Sequence, residues 1–156
     1  MNRQERRKAN SGKPKSVVAI TCEIFSTPNL GDREVHLDVG KMRAWAEKNI
    51  QPEKIRIVAE HVKRLIDGGT VTEDRVMDHT IHHIPKPILV CEHPDGLGDE
   101  IVDGNHTYVA TALSWASAVE QGLLSPSVTP FVVGYGLQPA QWRRFLVSAS
   151  QLRGRG

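Results

Sequence analysis

The sequence predicts one α+β domain, a small mixed sheet with packed helices, with about five strands and four helices. Short β-branched apolar runs alternate with longer segments whose apolar residues recur every three or four positions. Glycine, proline, asparagine and aspartate cluster between these segments, where turns are expected. Apolar residues make up 39% and charged residues 24% of the 156 residues, which is typical of a globular domain that buries a core.

The first half of the domain is predicted to contain two strands and two helices. The β-branched run at residues 16–25 predicts a strand, residues 26–33 a loop, and the alternating residues 34–39 a half-exposed strand. Helical spacing predicts one helix over residues 41–49 and a longer one over residues 51–69 that ends at two glycines. One face of the longer helix carries its apolar residues, Ile55, Val58, Ala59, Val62, Leu65 and Ile66.

The second half alternates strands and helices. The predicted elements are a short helix or turn at 72–77, a buried strand at 88–92, a hairpin turn at 93–99, a returning strand at 100–103, a helix at 105–120, a strand at 129–135 and an amphipathic helix at 138–152. The strand at 88–92 is expected to lie beside the returning strand, because a hairpin turn joins them.

Charge is distributed unevenly along the chain, whose formal net charge is +2. Residues 1–15 carry a net +5 (six basic side chains and one acidic) and residues 143–156 a net +4, which leaves −7 for residues 16–142. We therefore predict a disordered basic tail at 1–15, one domain at 16–152 and a basic end at 153–156. Basic ends suit DNA or another polyanion, and the alternative is a solvated tail that aids solubility. The predicted DNA contacts are residues 1–15, Arg143, Arg144, Arg153 and Arg155.

The composition also indicates the cellular compartment of the protein. No run of about 18 apolar residues occurs, so no helix is expected to span a membrane. The basic start of the chain lacks the apolar segment of a secretory signal. Cys22 and Cys91 lie in apolar runs without C-x-x-C spacing and are predicted to be buried thiols. These features predict a cytoplasmic protein.

The stretch E-I-V-D-G-N-H-T-Y-V-A-T-A-L, residues 100–113, joins a strand to a helix through one glycine. The first amides of a helix lack partners within the helix and carry partial positive charge, so they bind phosphate where a glycine gives access. The candidate phosphate-binding residues are Gly104, Asn105, His106 and Thr107. The candidate catalytic residues are Asp103, as base or Mg²⁺ ligand, and His106, as proton shuttle. The plain alternative is an Asp-Gly turn followed by an N-cap at Asn105.

The segment from Pro85 to Leu113 resembles the core of the ParB/sulfiredoxin superfamily. The resemblance is carried by K-P-I-L-V, H-P-D-G-L-G-D, E-I-V-D-G and G-N-H-T-Y-V-A. These pieces match a strand, a turn, a second strand ending in Asp-Gly, and a helix that opens like G-x-x-R-Y-x-A. The resemblance implies a ParB/sulfiredoxin-like fold that holds phosphates at this junction. The implied ligands are nucleotides such as ATP, ADP or CTP, with Mg²⁺.

The junction departs from the family within residues 105–107. Sulfiredoxins are similar at G-C-H-R-Y, but Asn105 stands where they have the catalytic cysteine, so sulfinic acid reduction by that mechanism is not expected. ParB proteins read G-E-R-R-Y-x-A and bind CTP, whereas Asn105, His106 and Thr107 replace the Glu, Arg and Arg of that motif. Losing both arginines removes bidentate phosphate donors. Lys86 and Arg43 are the candidates for the missing positive charge. Free-serine kinases of the superfamily have a D-G-H-H-type junction closer to residues 103–106, which implies phosphotransfer with the aspartate near the reacting hydroxyl.

A second polar cluster, D-H-T-I-H-H, contains Asp78, His79, His82 and His83. Spacings of three and four suit zinc on one helix face, but the following Ile84-Pro85 predicts that the segment leaves the helix. This favours exposed or partner-facing histidines over a metal site. Glu53 and Glu60 are candidates for a second catalytic carboxylate. Core packing rather than base stacking is predicted for Trp45, Trp115 and Trp142.

The leading hypothesis is a small nucleotide-binding domain or enzyme that catalyses phosphotransfer or nucleotide hydrolysis at this junction. One alternative is a catalytically silent accessory protein that contacts DNA through the basic ends. Another is an interaction protein of a virus or mobile element. Because few residues follow Tyr135, we do not expect the helix-turn-helix domain that follows this core in ParB proteins.

Overall fold

A computed structural model describes residues 23–82 and 86–153. These residues form an α+β fold with two small sheets and packed helices, as predicted. The predictions for the tail at 1–15, for the strand residues 16–22 and for His83 and Arg155 fall outside the described residues.

The described elements have the following bounds. The strands are β1 (Ile24–Thr27), β2 (Val35–Asp38), β3 (Glu53–Arg56), β4 (Ile88–Cys91), β5 (Glu100–Asp103) and β6 (Phe131–Leu137). The helices are α1 (Val39–Asn49), α2 (Ala59–Asp67), α3 (Glu73–His82), α4 (Asn105–Glu120), α5 (Pro139–Trp142) and α6 (Ala149–Arg153), with a 3₁₀ turn at Arg143–Phe145. No helix in this part of the chain is both long and apolar enough to cross a membrane.

The larger sheet has four strands in the order β3-β6-β4-β5, and β1 pairs with β2 in a separate ribbon. Strands β4 and β5 form an antiparallel hairpin, as predicted, whereas β4 and β6 are parallel, so the sheet is mixed. Every residue of β4 is buried. Strand β4, the more apolar strand of the hairpin, is therefore internal to the sheet. Strand β5 lies at the edge of the sheet, and its outer side is open for other contacts.

Side chains along the strands of the larger sheet point alternately to its two faces, and each face forms an apolar core. Leu89, Cys91 and Leu137 pack on one face with Met42 and Ala46 of α1. The opposite face carries Ile88, Val90, Ile101 and Val132, which pack against Tyr108 and Val109 of α4. Helices therefore cover both faces of the sheet, and α1 and α4 lie on opposite sides of it.

Helix α1 begins two residues before the predicted start. The buried Asp38 is its N-cap and accepts a hydrogen bond from the Lys41 amide at 3.1 Å. Helix α3 extends beyond the predicted 72–77 segment, and α4 ends at Glu120, as predicted.

The helix predicted over residues 51–69 is wrong in its first part. Residues 53–56 form the edge strand β3, which pairs with β6 through Ile55 opposite Val132. Ile55 and Ile57 recur at a spacing of two, which fits a strand, whereas the apolar pattern of the following residues fits the helix α2. The two patterns follow each other without a break in the sequence. Pairing with the distant β6 makes residues 53–56 a strand.

The single helix predicted over residues 138–152 is also wrong. Helix α5 and the 3₁₀ turn end at Leu146, which is extended and forms a bridge to Leu37. The Val147 amide then donates to the His36 carbonyl at 2.8 Å before α6 begins. Contacts with β2 thus interrupt a segment whose local pattern is helical.

Strand β5 contains an irregularity just before the helix α4. Ile101 pairs with Val90 and Asp103 with Leu89, so Val102 is an extra residue in β5 and forms a β-bulge. A shift of one residue moves side chains to the other face of a sheet. The bulge therefore turns Asp103 toward the face that α1 covers.

Gly104 is required at its position for two reasons. Its φ angle is 100°, in the region that only glycine adopts without strain, and a Cβ there would lie 2.9 Å from Ile88 Cβ and overlap Ile88 Cγ2. We expect Gly104→Ala to lower the free energy of unfolding by about 3 kcal/mol, from left-handed strain plus overpacking. Urea unfolding would measure it.

The matched control is Gly122→Ala. Gly122 has a φ of 77°, but a Cβ there meets nothing within 4 Å, so only the backbone strain of about 1 kcal/mol applies. Equal losses for the two variants would contradict the close contact between Gly104 and Ile88.

Candidate functional site

Helix α4 begins at Gly104, which is its N-cap and makes no side-chain capping bond. The Tyr108 amide donates to the Gly104 carbonyl at 2.9 Å, which closes the first turn. The alternative interpretation, with the N-cap at Asn105, is therefore wrong. The left-handed glycine at the N-cap instead leaves the first turn uncovered by a capping side chain.

Two clefts adjoin this helix start, and Phe25 lines both of them. The smaller cleft, about 430 Å³, is lined by Arg43, Lys86, Asp103, Gly104 and Thr107. The larger cleft, about 910 Å³, runs along the edge strand β5 from the loop after β1 to α2. Its polar lining includes Arg56, His61, Arg64, Glu100, Asn105 and Tyr108.

The site residues that were predicted from the sequence are distributed between the two clefts. Asp103, Gly104 and Thr107 line the smaller cleft, Asn105 lines the larger one, and His106 lines neither. The two predicted catalytic side chains, Asp103 and His106, are therefore not brought together in one cleft.

Asp103 and Arg43 form an ion pair in the smaller cleft. The Arg43 Nε and Nη2 atoms both donate to Asp103 Oδ2, at 3.0 and 2.8 Å. The Arg43 side chain is 18% exposed and that of Asp103 40% exposed. Arg43 and Lys86, the two residues proposed to replace the missing arginine, thus both lie here, but Arg43 already neutralises a carboxylate.

The larger cleft contains the cations Arg56 and Arg64, and neither has an ion pair within residues 23–82 and 86–153. Apolar side chains, among them Ile55, Val90 and Ile101, form part of its lining. A planar or apolar group can pack on this surface while an anionic group faces the two guanidinium groups.

His61 and Tyr108 meet in the larger cleft, with their ring centroids 5.1 Å apart. Burial, and to a lesser extent the Arg64 charge, lower the pKa of His61, so the neutral imidazole is favoured. Burial raises the pKa of Tyr108, whose hydroxyl accepts a hydrogen bond from the Val58 amide at 2.8 Å. That bond joins the start of α2 to α4 across 50 residues of sequence.

Glu100 is the residue of this cleft that the sequence reasoning missed. Burial raises the pKa of its carboxyl group, and hydrogen bonds from Asn29 and Thr27 and the Arg64 charge act in the opposite direction. No local signal marks it, because its partners come from the end of β1, from the loop after β1 and from α2. A half-buried carboxyl with a raised pKa in a cleft is a candidate functional group.

Other predicted features have the following outcomes. The side chains of Asp78, His79 and His82 are outside the described part of the structure, as is His83, so the metal prediction remains untested there. Among the described residues no group of three metal-ligating side chains occurs. Neither Glu53 nor Glu60 lines either cleft.

Trp142, Trp45 and the described cysteine behave as predicted, whereas Trp115 belongs to neither apolar core. Trp142 is buried and donates to the Glu92 carbonyl at 2.9 Å, while Trp45 and Trp115 pack against phenylalanine rings. Cys91 is a buried free thiol, and Cys22 lies outside the described residues.

Comparison of the chain with protein-family models, curated proteins and solved structures yields no match. The chemistry of the two clefts beside the start of α4 is therefore the basis on which a function is inferred.

The raised pKa of Glu100 predicts a pH-dependent stability. The folded state holds this proton more tightly than the unfolded state, so stability falls as pH rises from the ordinary carboxyl pKa through the raised one. Glu100→Gln cannot ionise, and we expect it to melt a few degrees higher than the natural chain at pH 7.5. The difference should shrink toward pH 4.

Thermal unfolding followed by circular dichroism from pH 4 to 8 checks this expectation. Glu47→Gln, on the exposed side of α1, is the matched control and should follow the natural chain throughout. A Glu100→Gln curve parallel to the natural one would show that the carboxyl is not desolvated.

Proposed function

We propose that the protein binds a nucleotide, or another phosphate-bearing ligand, in the larger cleft, with the phosphates near the start of helix α4. The observation that carries the proposal is the presence of Arg56 and Arg64, without ion pairs among the described residues, in the same cleft as Asn105 of the helix start. Guanidinium groups and a helix start both favour phosphate oxygens.

The dimensions and lining of the cleft also support this ligand class. Small-molecule sites usually measure about 300–1,000 Å³, and this cleft measures about 910 Å³. Its apolar side chains offer a surface for a base, and its two arginines offer charge for phosphates. The smaller cleft is less suited to phosphate, because its Arg43 is already paired with Asp103.

Asn105 supplies a second indication. Its Oδ1 atom is buried and accepts no hydrogen bond from the described residues. A buried polar atom without a partner costs about 1–3 kcal/mol, and a hydroxyl or N–H group of a ligand would remove that cost.

ATP, ADP and CTP with Mg²⁺ are the ligands to test. Mg²⁺ is usually held by one or two carboxylates together with substrate phosphates, and Asp99 is a carboxylate of the larger cleft that fits this role. Magnesium would supply charge neutralisation of the phosphates.

We also propose a ParB/sulfiredoxin-like fold with phosphotransfer or nucleotide hydrolysis as its chemistry. The support is the order of β4, hairpin turn, β5, glycine and α4 at the positions where the sequence resembles that superfamily.

Removing an arginine tests the binding proposal. We expect Arg64→Ala to weaken nucleotide binding roughly 10- to 100-fold, because a charge-assisted hydrogen bond contributes about 1.5–3 kcal/mol. Isothermal titration calorimetry with ATP, ADP and CTP, with and without Mg²⁺, measures the dissociation constants.

Arg33→Ala is the matched control, since Arg33 is exposed and lines neither cleft. No binding of any nucleotide to the natural chain would overturn the proposal. So would equal dissociation constants for Arg64→Ala and Arg33→Ala.

A nucleic-acid-associated role is the second candidate. Arg143 and Arg144 are both exposed, and their guanidinium groups lie over the rings of Trp142 and Trp45, at 5.5 and 5.1 Å from the ring centroids. This stacking holds two cations beside each other on the surface. With residues 1–15 and the C-terminal arginines they would offer contacts to DNA phosphates.

This second candidate predicts DNA binding that weakens steeply with salt, because phosphate contacts release counterions. We expect deletion of residues 1–15 to abolish binding of a mixed-sequence duplex at about 50 mM salt. Fluorescence anisotropy over a salt series measures it. Unchanged anisotropy after the deletion would exclude the tail from the contact.

A further inference from the structure

We propose that Glu100 is the general base of a nucleotide hydrolase reaction in the larger cleft, where it takes the proton from the attacking water. The inference rests on the proposed nucleotide site and names the reaction that this site catalyses. It differs from the sequence prediction, which assigned the acid and base roles to Asp103 and His106.

The position of Glu100 is the first argument. Glu100 is the first residue of the edge strand β5, and it lines the same cleft as Asn105 and Arg64. A phosphate chain between the helix start and Arg64 would therefore lie in the cleft that contains the carboxyl group. Glu100 is the only glutamate among the described residues that line this cleft.

The surroundings of Glu100 hold the carboxyl in place. Asn29 and Thr27 hydrogen-bond to it, and the Asn29 amide in turn donates to Thr27 Oγ1 at 3.1 Å. These neutral partners orient the carboxyl without neutralising it. A general base needs both a fixed position and a free lone pair, and a carboxyl has about four lone-pair positions.

Asp103 has a different environment. It accepts two hydrogen bonds from the Arg43 guanidinium on one oxygen and lines the smaller cleft. A carboxylate held by a permanent cation is a weaker proton acceptor than one held by neutral donors. Asp103 and Glu100 are thus two carboxyl groups of one strand in different environments. Of the two environments, that of Glu100 suits a general base.

The reaction needs no reactant other than water and the nucleotide. Glu100 accepts a proton from water as the water oxygen bonds to the terminal phosphorus. The bond from that phosphorus to the bridging oxygen breaks, and its electron pair leaves with the shortened nucleotide. Arg56 and Arg64 stabilise the negative charge, and Glu100 then releases its proton to solvent.

Several charged or titratable groups surround Glu100. They are Arg64 from α2, Asp99 from the hairpin turn and Cys91 from β4, and His61 and His93 line the same cleft. Because the base must be ionised, hydrolysis should decline on the acid side of a raised carboxyl pKa. The decline should persist in His61→Gln and disappear from the residual activity of Glu100→Gln.

The test measures phosphate release from Mg²⁺-ATP, Mg²⁺-ADP and Mg²⁺-CTP by the full chain. Calorimetric binding of the same nucleotides is measured in parallel. We expect Glu100→Gln to lower kcat at least about 100-fold while the dissociation constant changes less than about threefold. Glu100→Asp keeps a carboxyl and should retain part of the activity. Glu47→Gln, at an exposed residue that lines neither cleft, should behave like the natural chain, and circular dichroism confirms folding of each variant.

The outcomes separate this inference from the binding proposal. Binding without phosphate release by the natural chain, or full activity of Glu100→Gln, overturns the role of Glu100 and leaves the binding site standing. Loss of activity in Asp103→Asn with full activity in Glu100→Gln assigns the base to Asp103 instead. Absence of any nucleotide binding overturns the binding proposal and the role of Glu100 with it.

Discussion

The contact between Gly104 and Ile88 is the constraint on which both clefts depend. Ile88 begins the fully buried strand β4, and no side chain fits between it and the Gly104 backbone. Helix α4 must therefore start directly against the central hairpin, at the open edge of the sheet. From that fixed start Asn105 reaches one cleft and Thr107 the other.

Much of this junction could be predicted from the sequence because its determinants are local. The hairpin formers at 93–99, the glycine at 104 and the apolar spacing of the following helix lie next to each other in the chain. The division of Asp103 from Asn105 could not be predicted. It follows from the bulge at Val102, which places Asp103 opposite Leu89, and a bulge of this kind leaves no pattern in a single sequence.

The wrong or missing predictions share a physical cause, which is a partner distant in the chain. Residues 53–56 form a strand because β6 pairs with them, and the last predicted helix breaks because Leu146 bridges Leu37. The site follows the same rule. Arg43 reaches Asp103 across 60 residues, and the hydrogen bonds on Glu100 come from the end of β1 and the loop after it.

The pairing of Arg43 with Asp103 has a consequence for the larger cleft. Because the bulge turns Asp103 toward α1, the carboxylate nearest the helix start is neutralised on the far side from Arg56 and Arg64. The positive end of α4 is then not cancelled by Asp103 within the larger cleft. The carboxyl groups that line the larger cleft are those of Glu100 and its neighbour Asp99, and burial raises the pKa of the Glu100 carboxyl. An anion that enters this cleft is therefore attracted by two arginines and by the start of α4. Positive charge beside Glu100, such as that of Arg64, favours its ionised form, and an anionic ligand disfavours it, so the charge of the ligand is coupled to the basicity of this residue.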